Sequence, residues 1–134
     1  MTPHETSPKN AILAVDDDTR LLAVYRHVCQ RVGCQLLMAF DGAEALTAFR
    51  HHQEEIALVI SDKLMPDMDG ILLWNALRKL DPDIRFMMIS GSLSQAEIQG
   101  LQAQGMVRCL RKPCGLQTLL AAIGSALAPS PSVA

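Results

Sequence analysis

The chain has 134 residues, of which 49% are hydrophobic and 19% charged, with twelve basic against fourteen acidic side chains. This is the size and composition of one globular domain with its own core, and the balance excludes a generally basic, nucleic-acid-coating protein. No apolar run approaches the roughly 20 residues of a membrane span, and Met1–Asn10 has no apolar stretch of the kind a secretory signal requires. A cytoplasmic protein with no membrane attachment is the expectation.

Residues 1–10 are polar, hold two prolines and show no period, which predicts a flexible lead-in. Short apolar runs then appear at Ala11–Val15, Gln35–Ala39, Ile56–Ser61, Arg85–Ile89 and Met106–Leu110. Most lack polar alternation, as strands do when both faces of a parallel sheet are covered. Helical stripes fill the intervals. Leu21, Leu22, Tyr25, Val28, Cys29 and Val32 recur at three- and four-residue steps, and Ala43–Phe49 and Ile71–Leu80 repeat the pattern. Ser92 or Ser94 can cap a helix running to about Gln104 and ended by Gly105. Leu116, Leu119, Leu120, Ile123 and Leu127 form the last stripe, and residues 129–134 form a loose Pro/Ser tail. Five strands alternating with five helices over 11–128 predict an α/β fold, a doubly wound open sheet.

Cys29 and Cys34, and Cys109 and Cys114, are each separated by four residues, which is not the spacing of a common zinc or redox site. Reduced, packed thiols are expected. His51-His52 falls near a helix end, facing the C-terminal dipole and solvent. The basic residues Arg108 and Arg111 are too few, and lack the interleaved aromatics, for a nucleic-acid face.

Ligands of open α/β sheets bind outside the carboxyl ends of the strands, so the residues that follow each apolar run are the informative ones. They are Asp16, Asp17 and Asp18; Asp62; Ser90 and Gly91; and Arg111, Lys112 and Pro113. Taken singly, the acid run reads as a helix cap, Asp62 as a turn acid, and Lys112 as a solvated cation. If the first, third, fourth and fifth strands are neighbours, these groups converge. Crowded carboxylates then repel unless a cation sits among them, and oxygen donors of this kind suit Mg²⁺.

The stretches ILAVDDD, VISDKLMPDMDG, MMISG and LRKP, in this order, resemble the phosphoacceptor receiver domain of bacterial two-component response regulators. The resemblance runs from Ala11 to about Leu127 and implies a CheY-like, flavodoxin-like sheet in the order 2-1-3-4-5. It implies that Asp62 accepts a phosphoryl group from a sensor histidine kinase or histidine phosphotransfer protein. It implies Mg²⁺ held by Asp17, Asp62 and the Leu64 backbone carbonyl, with Asp16 acting through water. Ser90 and Lys112 would meet the phosphoryl oxygens, the lysine gaining its partner only when that group arrives, and the bond before Pro113 would be cis. Gly91 would leave room beside those oxygens, and Asp18 would serve as a cap. The implied protein is not a turnover enzyme; it acts on a downstream protein target and binds no nucleic acid directly.

Two positions depart from the family pattern. Cys109 stands where a switching aromatic is common, and Cys114 where Phe often follows Lys-Pro. The expected consequence is transmission by backbone shifts in the Ser90–Gln95 loop and the following helix. That helix, the strand at Met106–Leu110 and the last helix would then form the partner face. The seven residues after Leu127 leave no room for an output domain, so either another protein carries the effect or the chain is a receiver cut from a longer regulator. A Mg²⁺-dependent phosphohydrolase of the haloacid-dehalogenase type is the enzyme alternative, but its D-x-D-x-T motif needs Thr where Arg20 stands. A degenerate receiver, acting only as an interaction module, is the other alternative.

Overall fold

The computed structural model describes residues 9–128, so the first eight residues of the expected lead-in over 1–10, and the tail over 129–134, lie outside the described residues. The strands are β1 (Ala11–Val15), β2 (Gln35–Ala39), β3 (Ile56–Ser61), β4 (Phe86–Ser90) and β5 (Arg108–Arg111). Between and after them run α1 (Thr19–Val32), α2 (Gly42–His52), α3 (Gly70–Leu80), α4 (Gln95–Ala103) and α5 (Leu116–Leu127). All strand pairings are parallel, in the order β2-β1-β3-β4-β5. This is the doubly wound, flavodoxin-like arrangement expected from the alternation of apolar runs and helical stripes.

Strand pleating sorts the apolar residues into two layers. Leu13, Val15, Val59, Phe86 and Met88 face α2, α3 and α4, where they meet Ala45, Phe49, Leu73, Trp74 and Leu101. Ile12, Ala14, Leu58, Ile60, Met87 and Ile89 face α1 and α5, where they meet Leu22, Tyr25, Val28, Leu119 and Ile123. A register shift between Ala11 and Ile12 lets Ile56 join the first layer while Leu58 joins the second. Both faces are covered, which explains why the strands carry no polar alternation.

The ends of the elements follow local chemistry. Asp18 caps α1 by accepting the Arg20 N–H, and Gly33 ends it at φ 75°. Ser94, not Ser92, caps α4, in a capping box with Glu97. β4 begins one residue later than expected. β5 begins at Arg108 and not at Met106, because the Met106 N–H still donates to the Leu101 carbonyl of α4, with Gly105 turning the chain at φ 108°. Met106 is buried by that turn and so mimics a strand residue in the sequence.

Phe49 is fully buried whereas Leu72 is 61% exposed. Phe49→Ala should therefore cost about 3–5 kcal/mol in denaturant unfolding, and Leu72→Ala less than about 0.5 kcal/mol.

Candidate functional site

β1 and β3 are direct neighbours, so the residues that leave their carboxyl ends, Asp16 and Asp62, emerge side by side. β5 lies two strands away from β3, and the turn beyond it returns Lys112 to this edge. Its backbone N–H donates to the Ser90 carbonyl at 3.0 Å, and the Lys112–Pro113 bond is cis. The Lys112 ammonium sits between the two acids, 2.8 Å from Asp62 Oδ2 and 3.1 Å from Asp16 Oδ2.

Asp16 is 1% exposed. Its second oxygen accepts the Asp18 N–H at 2.9 Å. Burial raises the Asp16 pKa above the ordinary carboxylate value; the Asp18 N–H and Lys112 only partly offset this, and Asp62 adds a small push upward. The expected mutual repulsion of the acids is thus a minor cause, and desolvation the main one. Burial also works against the Lys112 charge, but its bonds to Asp62 and Asp16 prevail and hold its pKa above the lysine norm. The expectation that this lysine waits for a partner is corrected: two carboxylates already hold it.

Asp62 Oδ1 accepts the Leu64 N–H at 3.2 Å, turning the chain sharply after the strand. Asp17 is exposed, and among the described residues it makes no ion pair. Ser90 is buried, with its hydroxyl 3.2 Å from that of Ser92 rather than on Asp62 or Lys112. A Cβ at Gly91 would meet nothing within 4 Å, so packing in this state does not demand a glycine there. The donors at this edge are hard carboxylate oxygens, and two of them already converge on one cation. That chemistry fits Mg²⁺. The three carboxylates are not drawn into a single cluster, since among the described residues no group of three His, Cys, Asp or Glu side chains stands ready to hold an ion.

The loop from Asp62 to Gly70 carries ties that local sequence patterns do not announce. Gly70 N–H donates to the Lys63 carbonyl at 2.6 Å, and Leu64 pairs with Asp69. A Cβ at Gly70 would lie 2.2 Å from the Asp62 carbonyl, so this glycine is a steric requirement of the loop. Asp67 accepts the N–H groups of Gly42 and Ala43, at 2.8 and 2.9 Å, and so caps α2 from another element. Those bonds hold its pKa below the usual range. Lys63 pairs with Glu97 of α4 at 2.5 Å. The M-P-x-M-D-G run marked the loop, but bonds to α2 and α4 span 25 and 34 residues and have no local signature.

Away from this edge, the cysteines are free, as expected. Burial pushes the thiols of Cys29 and Cys109 up to about 11, which suits inert packed groups. His52 Nδ1 lies 3.3 Å from Glu55 at the far end of the sheet. No helix among the described residues is long and apolar enough to cross a membrane.

Lys112→Met would strand the buried Asp16 carboxylate without its cation. The variant should lose roughly 1–3 kcal/mol of stability at neutral pH. A carboxylate whose folded pKa is raised stabilises the fold below its unfolded value and loses that contribution as pH rises. The deficit of Lys112→Met should therefore shrink as the pH of the urea titrations is lowered and Asp16 takes up a proton.

Comparison with known proteins bears on what this edge is. The chain spans 86% of its own length in a match to the sensor kinase CckA of Brucella abortus, at 33% identity over 115 residues, but only 12% of that protein. It spans 91% of its length, at 33% identity, in the transcriptional regulatory protein PrrA of Mycobacterium tuberculosis, and 51% of that protein. The matched region is thus a part, at most about half, of these relatives. Among solved structures, the chemotaxis response regulator CheY4 of Vibrio cholerae superposes with a TM-score of 0.78 at 29% identity, covering 88% of this chain and 98% of that one. The CheY of a CheX–CheY–BeF3–Mg complex from Borrelia burgdorferi gives 0.83 at 25% identity, with 90% of each chain covered. Residues 12–124 match the response regulator receiver domain family, and with five parallel strands in the order 2-1-3-4-5 and acids at the ends of β1 and β3, the chain belongs to that family.

Proposed function

We propose that this receiver domain takes a phosphoryl group onto Asp62 from a phosphohistidine of a sensor histidine kinase or histidine phosphotransfer protein. The observation that carries the reading is the seat of Lys112, whose ammonium bridges Asp62 and Asp16 at the open edge of the sheet. A carboxylate oxygen of Asp62 attacks phosphorus; the P–N bond to the partner's imidazole breaks as the P–O bond forms, and the ring nitrogen takes the electron pair. Lys112 then exchanges a carboxylate oxygen for a phosphoryl oxygen, with little travel. The Ser90 hydroxyl leaves Ser92 and donates to the same group, with backbone N–H groups of the edge.

The residues suited to Mg²⁺ are Asp17 and Asp62 with the Leu64 carbonyl, and Asp16 through water. Mg²⁺, when bound, supplies the positive charge that three carboxylates and one lysine lack. The exposed Leu64 side chain offers no group to position an attacking water. Acceptance is self-catalysed, without turnover of a substrate. The signal passes to a protein target: Arg108 and Arg111, the basic residues of β5, are engaged by Ser125, Leu93 and Gln95, which supports a protein rather than a nucleic-acid contact. A cytoplasmic location belongs to this reading.

Incubation with a small phosphodonor and Mg²⁺ should add one alkali-labile phosphoryl group by intact mass, and Asp62→Ala should abolish it. A label that persists on Ser, Thr or His overturns the reading. Mg²⁺ should also raise the melting midpoint, corresponding to about 2.7 kcal/mol at a hundredfold excess over its dissociation constant. No shift at millimolar Mg²⁺ would remove the metal from the scheme.

A further inference from the structure

The start of α4 is held by polar ties more than by packing. Leu101 is the one fully buried side chain of the helix and lies near its end, while Ile98 is half-buried. In the first turn, Glu97 Oε1 accepts the Ser94 N–H at 3.0 Å, completing the capping box. Its other oxygen, Oε2, accepts from Lys63. Lys63 directly follows Asp62 and closes the acid's loop through its carbonyl on the Gly70 N–H. One carboxylate therefore holds both the helix start and the loop. Arg111 supplies the other tie, to the Leu93 carbonyl and Gln95, and that one runs to β5.

We infer that the Lys63–Glu97 pair is a coupling tie that makes the position of the α4 start and the conformation of the Asp62 loop depend on each other. It rests on the reading of Asp62 as phosphoacceptor only for its use in signalling; the coupling itself is a property of the unloaded protein. The Lys63 side chain is 18% exposed, so the pair is shielded enough to persist, and Glu97 at 37% leaves it open to weakening by salt. Lys63 bonding, followed by the Ser94 N–H, holds the Glu97 carboxyl down at about 2, so the pair is charged throughout the physiological range. With Cys109 in place of an aromatic, this tie gives the chain a direct route from the loop to α4.

Coupling is reciprocal, so hydrogen exchange on the full chain can test it from both ends. Lys63→Met keeps the stem and removes the charge, whereas Glu97→Gln keeps a capping side chain. Lys63→Met should speed exchange of the Ile98–Leu101 amides about two- to fivefold, and Glu97→Gln should do the same for the loop amides, Gly70 included. The double variant should add little to either single change, and Lys63→Arg should restore the parent rates. Ser94→Ala, which loosens α4 while the pair persists, should speed the loop amides in the parent and not in the Lys63→Met background. If Lys63→Met leaves α4 at the parent rate, or Ser94→Ala moves the loop equally with and without Lys63, the inference is overturned. A second arm uses beryllofluoride with Mg²⁺, its binding followed by fluorine NMR. The parent's α4 response should be lost in Lys63→Met while loading persists; an equal response overturns the signalling use. A parent that does not load refutes the phosphoacceptor reading instead, and the unloaded arm still decides the tie.

Discussion

A carboxylate placed at the end of an interior strand sets the terms for the rest of this fold. Asp16 loses nearly all its contact with water, and its charge survives only because Lys112 and the Asp18 N–H stand against it. The lysine must reach across the sheet edge from beyond β5, and the parallel order of strands brings it there. Each β–α crossover deposits its following loop on the same edge, so Asp16, Asp62 and the Lys112 ammonium meet without being close in sequence. The cost of burying Asp16 falls at the edge where the fold gathers its polar groups, and groups with raised or lowered pKa values tend to cluster at such places.

The two layers of apolar side chains make that edge rigid. β1 and β3 are buried along almost their whole length, and their register leaves Val15 opposite Ser61, so the next residues emerge at one level. Tolerance is lower here than in an isolated loop, because a slip of either strand would exchange its two faces as well as move its acid. The loop after β3 is stiff for a separate reason. It is closed on itself between Lys63 and Gly70, and gripped from outside by α2 and α4.

Much of this was readable from residue order. Unalternated apolar runs marked strands covered on both sides, and the groups that follow them marked the edge. Asp18, Ser94 and Gly105 did locally what their residue types favour. The start of β5 was misplaced because Met106 is buried by a helix-end turn, and burial in a turn leaves the same apolar trace as burial in a strand. The pairing of Lys112 in the unloaded protein is not legible because its partners lie 50 and 96 residues away, a separation that no periodicity encodes. The ties of Asp67 and Lys63 were invisible for the same reason: a surface acid or lysine looks solvated until the fold shows what stands opposite.

Asp67 completes the first turn of α2 from across the molecule, while Met68 lies over Gly42 so closely that a Cβ there would meet its side chain at 2.4 Å. The helix start and the loop are therefore one mechanical part distributed over two stretches of chain. Their lengths are locked together, since one residue more or less between Lys63 and Gly70 would move Asp67 off its donors. Transplanting this loop into another sheet of the same topology would require carrying the opening of α2 with it, glycine included.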